Sequence, residues 1–260
     1  YGWDEALFQT LSITLGYKEN KLPFELLTQR ISLETLRSSP EEIDSLLFGC
    51  AGFLTSTSMK EFEPDTRNYL RELWDRWWAM RARWQRMVLP ASAWKLTGTR
   101  PANHPQRRIA ALGLIARNWK AVAEAFRAGT LDQLETVLGG LQHPYWSEHY
   151  TISSRRSAKP IALIGSSRIL EMLVNVAMPV SLATNQDQWR SLAEIKQPLE
   201  NRKLKTGILR LLGGETRQPS MSVLQQQGVL QIYEDFCLRD MSDCDRCPFP
   251  GKVLGWEKRL

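Results

Sequence analysis

Apolar residues recur at spacings of three and four through most of the chain, the period of helices with one buried face. Ala6, Leu7, Leu11 and Leu15 predict a first helix that Asp4 can cap and Gly16 can stop. Phe24, Leu26 and Leu27 predict a second, with Pro23 in the first turn, where a missing N–H costs nothing. Ser39-Pro40-Glu41-Glu42 has the order of an N-cap, a first-turn proline and a capping-box acid, and it introduces Ile43, Leu46, Leu47 and Phe48. The small residues of Gly49-Cys50-Ala51-Gly52 would let another helix approach closely. The longest periodic segment, about 65–88, puts Leu70, Leu73, Trp74, Trp77, Met80, Trp84 and Met87 on one stripe, with Arg76, Arg83 and Arg86 largely on the other side. Neighbouring Trp77 and Trp78 point about 100° apart, so one of them belongs to the margin of that stripe.

A Pro- and Gly-bearing connection spans 90–105. From Pro105 a helix is expected to Gly129, with Ile109, Leu112, Ile115, Ala116, Trp119 and Val122 inward, and Thr130 to Gln133 predicts a capping box for a short helix closed by Gly139-Gly140. Tyr145 to Ile152 is the only β-like stretch, and its composition also suits an extended connector. Ser154 to Pro160 is a polar, basic loop, and further helices are expected over 166–182, 188–196, 204–212 and 221–236. Strands do not alternate with helices and no period repeats. The fold class predicted is all-α, an irregular multi-helix domain over 1–260 with a Cys-containing loop at 237–251 near its C-terminal end.

Composition narrows this picture. With 260 residues, 43% of them hydrophobic, the chain can bury a substantial core. Four Cys exclude a disulfide-dense secreted scaffold, and no apolar run approaches the roughly 18–20 residues of a membrane span. A cytoplasmic protein without a membrane partner is expected. The chain begins at Tyr1 without an initiator Met, as a fragment or a processed product would. The formal charge of +6 is unevenly placed: residues 65–127 carry 13 Lys and Arg against 4 acids, a net +9, and hold six of the ten Trp. Arginine interleaved with aromatics is the composition that phosphate contact and base stacking use, and also that of a core helix with a solvated basic face.

Cys237, Cys244 and Cys247 have C-x6-C-x2-C spacing, in which a tight turn and a helix end can present three thiolates to one ion. Zinc or an iron–sulfur cluster would need a fourth ligand. Cys50 is the remaining thiol, with His104, His143 and His149 as alternatives, and ordinary reduced thiols are the competing reading. His143 and His149, six apart in an aromatic connector, have no zincin spacing and are expected to order that connector. Leu163-Ile164-Gly165-Ser166-Ser167 lacks the Lys and strand of a phosphate loop and reads as a helix start. No self-contained catalytic constellation is present.

Arg100-Pro101-Ala102-Asn103-His104-Pro105-Gln106-Arg107-Arg108-Ile109-Ala110 resembles the R-P-x-N-x-P-x-x-R-I-A segment of a bacterial family called domain of unknown function 2851. Similar segments follow the family's order elsewhere: Trp3 to Leu7, Leu15 to Lys18, Leu22 to Leu27, Leu46 to Gly52, Tyr145 to Tyr150, and Cys244 with Cys247 before Gly251 and Leu254. His104 and Cys50 depart from the usual family residues, which weakens both as shared metal ligands. The resemblance implies that this is the helical C-terminal portion of a protein whose upstream, β-rich part looks like a metal-dependent nuclease core. Together with the charge pattern it leads to a region contacting DNA or RNA. Arg100, Asn103, Arg107 and Arg108 would meet phosphates at the helix start at Pro105, and Arg76, Arg83 and Arg86 would extend the surface. The alternative is a scaffold buttressing the upstream domain, with Arg100 and Asn103 tying loops together.

Overall fold

The structure is a computed structural model that describes residues 2–54, 59–183, 195–196, 201–213, 220–238 and 244–257. Its described residues form helices and turns without a strand, so the chain is all-α. Internal contacts divide it into two compact units, Tyr1–Thr184 and Asn185–Leu260, at a point that no Pro-, Gly- or Ser-rich linker marks in the sequence.

In the first unit, α1 (Trp3–Leu15) buries Leu7, Phe8, Leu11 and Leu15 and packs on α2 (Lys21–Arg30), which returns Phe24 and Leu27. Gly2, and not Asp4, occupies the N-cap of α1; Asp4 lies in the first turn and accepts from Trp119 Nε1 (2.9 Å) and Arg127 (2.9 Å). A short α3 (Leu33–Ser38), capped by Ser32, was not apparent from periodicity. It displaces the expected start signal. Ser39 ends α3, its carbonyl accepts from Glu42 N in a turn, and α4 (Ile43–Cys50) begins only after Glu42.

Every residue of α4 is buried, because α5 (Pro64–Trp84) and α6 (Pro105–Arg117) both pack on it. Close approach to α5 depends on Gly49: a Cβ there would lie 2.1 Å from the Trp77 ring. A buried indole flanked by packed helices has little room to yield. Gly49→Ala is therefore expected to destabilise the protein by about 1–3 kcal/mol through overpacking, read as a lowered urea midpoint; an unchanged midpoint would show that Trp77 moves freely.

The helix expected from Pro105 to Gly129 is two. Asn118 breaks it with φ −100° and ψ 25°, its Nδ2 donating to the Leu114 carbonyl (2.9 Å), and α7 (Trp119–Ala128) follows. Gly129 ends α7 at φ 64°, and Thr130 accepts from Gln133 N to start α8 (Leu131–Gly139). The stretch from Tyr145 to Ile152 forms turns and no strand. α9 (Ser166–Met172) continues through a π-helical turn, Leu173–Ala177, into α10 (Met178–Ala183).

In the second unit α11 (Arg202–Leu212) packs on α12 (Val223–Ile232), which opens with a Ser222/Gln225 capping box. A π-helical turn, Tyr233–Leu238, extends α12, and α13 (Phe249–Glu257) brings Phe249 to Phe236, with ring centroids 5.1 Å apart. Of the helix expected over 188–196, residues 188–194 lie outside the described residues.

Candidate nucleic-acid interface

The segment 100–108, expected to meet phosphates, turns inward. Arg107 is 0% exposed at the start of α6. Its Nη1 donates to the carbonyls of Trp146 and His149 and its Nη2 to those of Ile161 (2.8 Å) and Ala162 (2.9 Å). Arg108, 5% exposed, donates to the Leu163 carbonyl (2.8 Å) and to Asn103 Oδ1 (2.6 Å). Gln106 accepts from Ile152 N (3.1 Å). Three successive side chains thus clasp the connector 146–163 to the first turn of α6. Burial lowers both guanidiniums to about 10, Arg108 with a further push from the Arg168 and Arg107 charges, so both stay charged at neutral pH. This corrects the sequence expectation for Arg107 and Arg108: their Nη groups donate inside the fold, and Arg107 Nε is buried without a hydrogen-bond partner, so neither guanidinium is presented to a phosphate. Asn103 is half-buried in the same network, and Arg100 is exposed.

A second polar centre lies beside this clasp. His143 Nδ1 accepts from the backbone N–H of Tyr145 (3.1 Å) and Trp146 (3.2 Å), which leaves the proton on Nε2 to be donated to Asp44 Oδ2 (3.2 Å). Arg117 reaches the same carboxylate oxygen at 3.0 Å. Burial pushes the Asp44 carboxyl up, but the His143 hydrogen bond and the Arg117 charge outweigh it, and the net shift is downward. Gly113 makes room, since a Cβ there would lie 2.6 Å from Asp44 Oδ1. Tyr69, Tyr145 and His149 stack in sequence at 4.3 and 4.0 Å, and Tyr69 Oη accepts from Trp146 Nε1 (2.8 Å). Burial pushes the Tyr69 phenol well above its ordinary value. Both nitrogens of His143 are committed to ordering the connector, while Asp44 Oδ1 and His149 Nε2 are buried without a hydrogen-bond partner.

α5 and the turn after it carry exposed basic side chains. Arg83 and Arg86 are exposed; Arg76 is exposed too, but its Nη1 donates to the Glu41 carbonyl. Arg83 lies over the Trp84 ring at 5.3 Å. Of the adjacent tryptophans, Trp77 is 3% exposed against Gly49 and Trp78 is 61% exposed. Trp74 is half-buried, 5.8 Å from Trp78, and the Arg81 guanidinium sits 4.8 Å over the Trp78 ring. The sequence marks Trp78 as one of two adjacent tryptophans, and the 3-4-3 spacing of Arg71, Trp74, Trp78 and Arg81 is the local signal that joins Arg71 and Arg81 to it.

The thiols are separated by environment. Cys50 is fully buried and burial pushes it up to about 12, which disfavours the thiolate a metal requires. Cys237 and Cys247 are half-buried and Cys244 is exposed. Among the described residues no three His, Cys, Asp or Glu side chains are grouped to hold a metal ion. Residues 239–243, between Cys237 and Cys244, lie outside the described residues.

A family model described as "Protein of unknown function (DUF2851)" matches residues 1–202. No curated protein and no solved structure matches the chain.

Proposed function

The chain belongs to the family described as protein of unknown function (DUF2851), and from that premise we propose that it is the helical, nucleic-acid-contacting region of a DNA- or RNA-processing protein. In this reading the metal-dependent, nuclease-like part of such a protein would lie upstream of this chain. The observation that carries the reading is that α5 and the turn after it expose Arg71, Arg83 and Arg86 together with Trp78. Phosphates are attracted by the charge and bases by the indole. Arg76 and Arg100 are exposed members of the same basic stretch of sequence. The four thiols are free, which fits a reducing cytoplasm, and no described helix is long and apolar enough to cross a membrane.

Binding should be strongest at low salt and fall steeply as salt rises. The Arg83→Glu, Arg86→Glu double variant is expected to weaken binding to a mixed single- and double-stranded DNA panel about tenfold or more and to lower the salt slope by about 2. No binding at low salt, or binding unchanged in the variant, would overturn the reading.

The scaffold alternative is favoured by one observation, the clasp formed by Gln106, Arg107 and Arg108. It accounts for the segment that most resembles the family without any ligand.

A further inference from the structure

We propose that Arg71, Trp74, Trp78 and Arg81 form a stacking track for a single-stranded nucleic acid, an inference that rests on the nucleic-acid reading above and specifies its substrate. Their spacing of three, four and three places them in one line along α5, about 100° around the helix from the stripe of Leu70, Leu73 and Trp77 that packs inward. At 1.5 Å per residue the line is about 15 Å long, with a guanidinium at each end and two indoles between.

The chemistry of the line favours unpaired bases. Phosphates of a duplex would need the arginines alone, because duplex base faces are occupied by stacking and a side chain on a convex helix meets only their edges. Trp78, 61% exposed, offers a face that an unpaired base can cover. Arg81, already 4.8 Å over that ring, is placed to stack on the next base or pair with its phosphate. A protein partner would call for an apolar patch around the indole, whereas apart from Trp74 the residues at helix spacing from Trp78 are Arg71, Asp75, Arg81, Ala82 and Gln85. Basic residues outnumber Asp75 in that ring, so the charge complements a polyanion. Base faces and phosphates are common to DNA and RNA, and the track reads no sugar.

Fluorescence anisotropy with the full chain tests this, using labelled oligothymidylate of about 15 nucleotides, the oligouridylate of equal length and a duplex of the same length at low salt. Both single strands should bind at least about tenfold more tightly than the duplex. Trp78→Ala should weaken single-strand binding about tenfold, the effect of one lost stacked base, and leave duplex binding unchanged. Trp78→Phe should restore most of the loss, and circular dichroism should show both variants folded, since the side chain is exposed. Equal affinity for duplex and single strand, or a Trp78→Ala variant that binds oligothymidylate like the parent, overturns the stacking track while leaving the broader nucleic-acid reading standing. Absence of binding to all three probes overturns both.

Discussion

Arg107→Met should destabilise the protein by about 4 kcal/mol or more, enough to lower its melting temperature by roughly 10 °C or to leave no folded protein at all. Methionine keeps the apolar stem but strips the donors from four carbonyls, those of Trp146, His149, Ile161 and Ala162. A buried acceptor left unpaired costs about 1–3 kcal/mol, and several such losses approach the whole stability of a typical domain. Arg107→Lys retains the charge without the fork that spans two pairs of carbonyls, so an intermediate loss is expected. Thermal unfolding followed by circular dichroism measures both. Melting temperatures within about 2 °C of the parent, accompanied by weakened DNA binding, would return Arg107 to the surface role that its sequence context first implied.

Asp44→Ala should cost about 2–4 kcal/mol, because it strands the Nε2–H of buried His143 and leaves Arg117 beside an emptied site. The lower part of that range reflects Arg117, whose side chain is 27% exposed and can turn partly to water. The linkage has a definite sign. The folded carboxyl titrates below its ordinary 3.8, so its contribution is complete above that value and is lost as pH falls through the lower folded value. Urea unfolding between about pH 5 and pH 2 should therefore show a steeper loss for the parent than for Asp44→Asn. Parallel curves would mean that Asp44 is not the charged acceptor of this centre.

Local pattern and tertiary partners divide the interpretation of α5 and α6. The period of three and four from Leu70 to Trp84 foretold one long helix, and Pro64–Trp84 is that helix. It also foretold that Trp77 and Trp78 could not both face inward, but not which would, because a helical wheel assigns angles without a partner. Gly49 decides: the groove it leaves takes the Trp77 ring, and Trp78 is turned out. In α6 the signal for burial is legible in the sequence. Residues 109–116 are apolar without interruption, the mark of a helix buried on all sides, and such a helix carries the Arg at its first turn inward with it.

What the sequence determined by itself is the helical class, most of the helices and the position of the basic, tryptophan-rich segment, since each depends on residues within a turn or two of one another. The burial of Arg107 and Arg108, the Asp44–His143–Arg117 centre and the exposure of Trp78 were decided only by tertiary structure. Apart from Asn103, their partners lie some 30 to 100 residues away along the chain, as the separation of 99 between Asp44 and His143 illustrates. An arginine among carbonyls and an arginine in water look alike to any local pattern; only the fold supplies or withholds the acceptors that make burial stable.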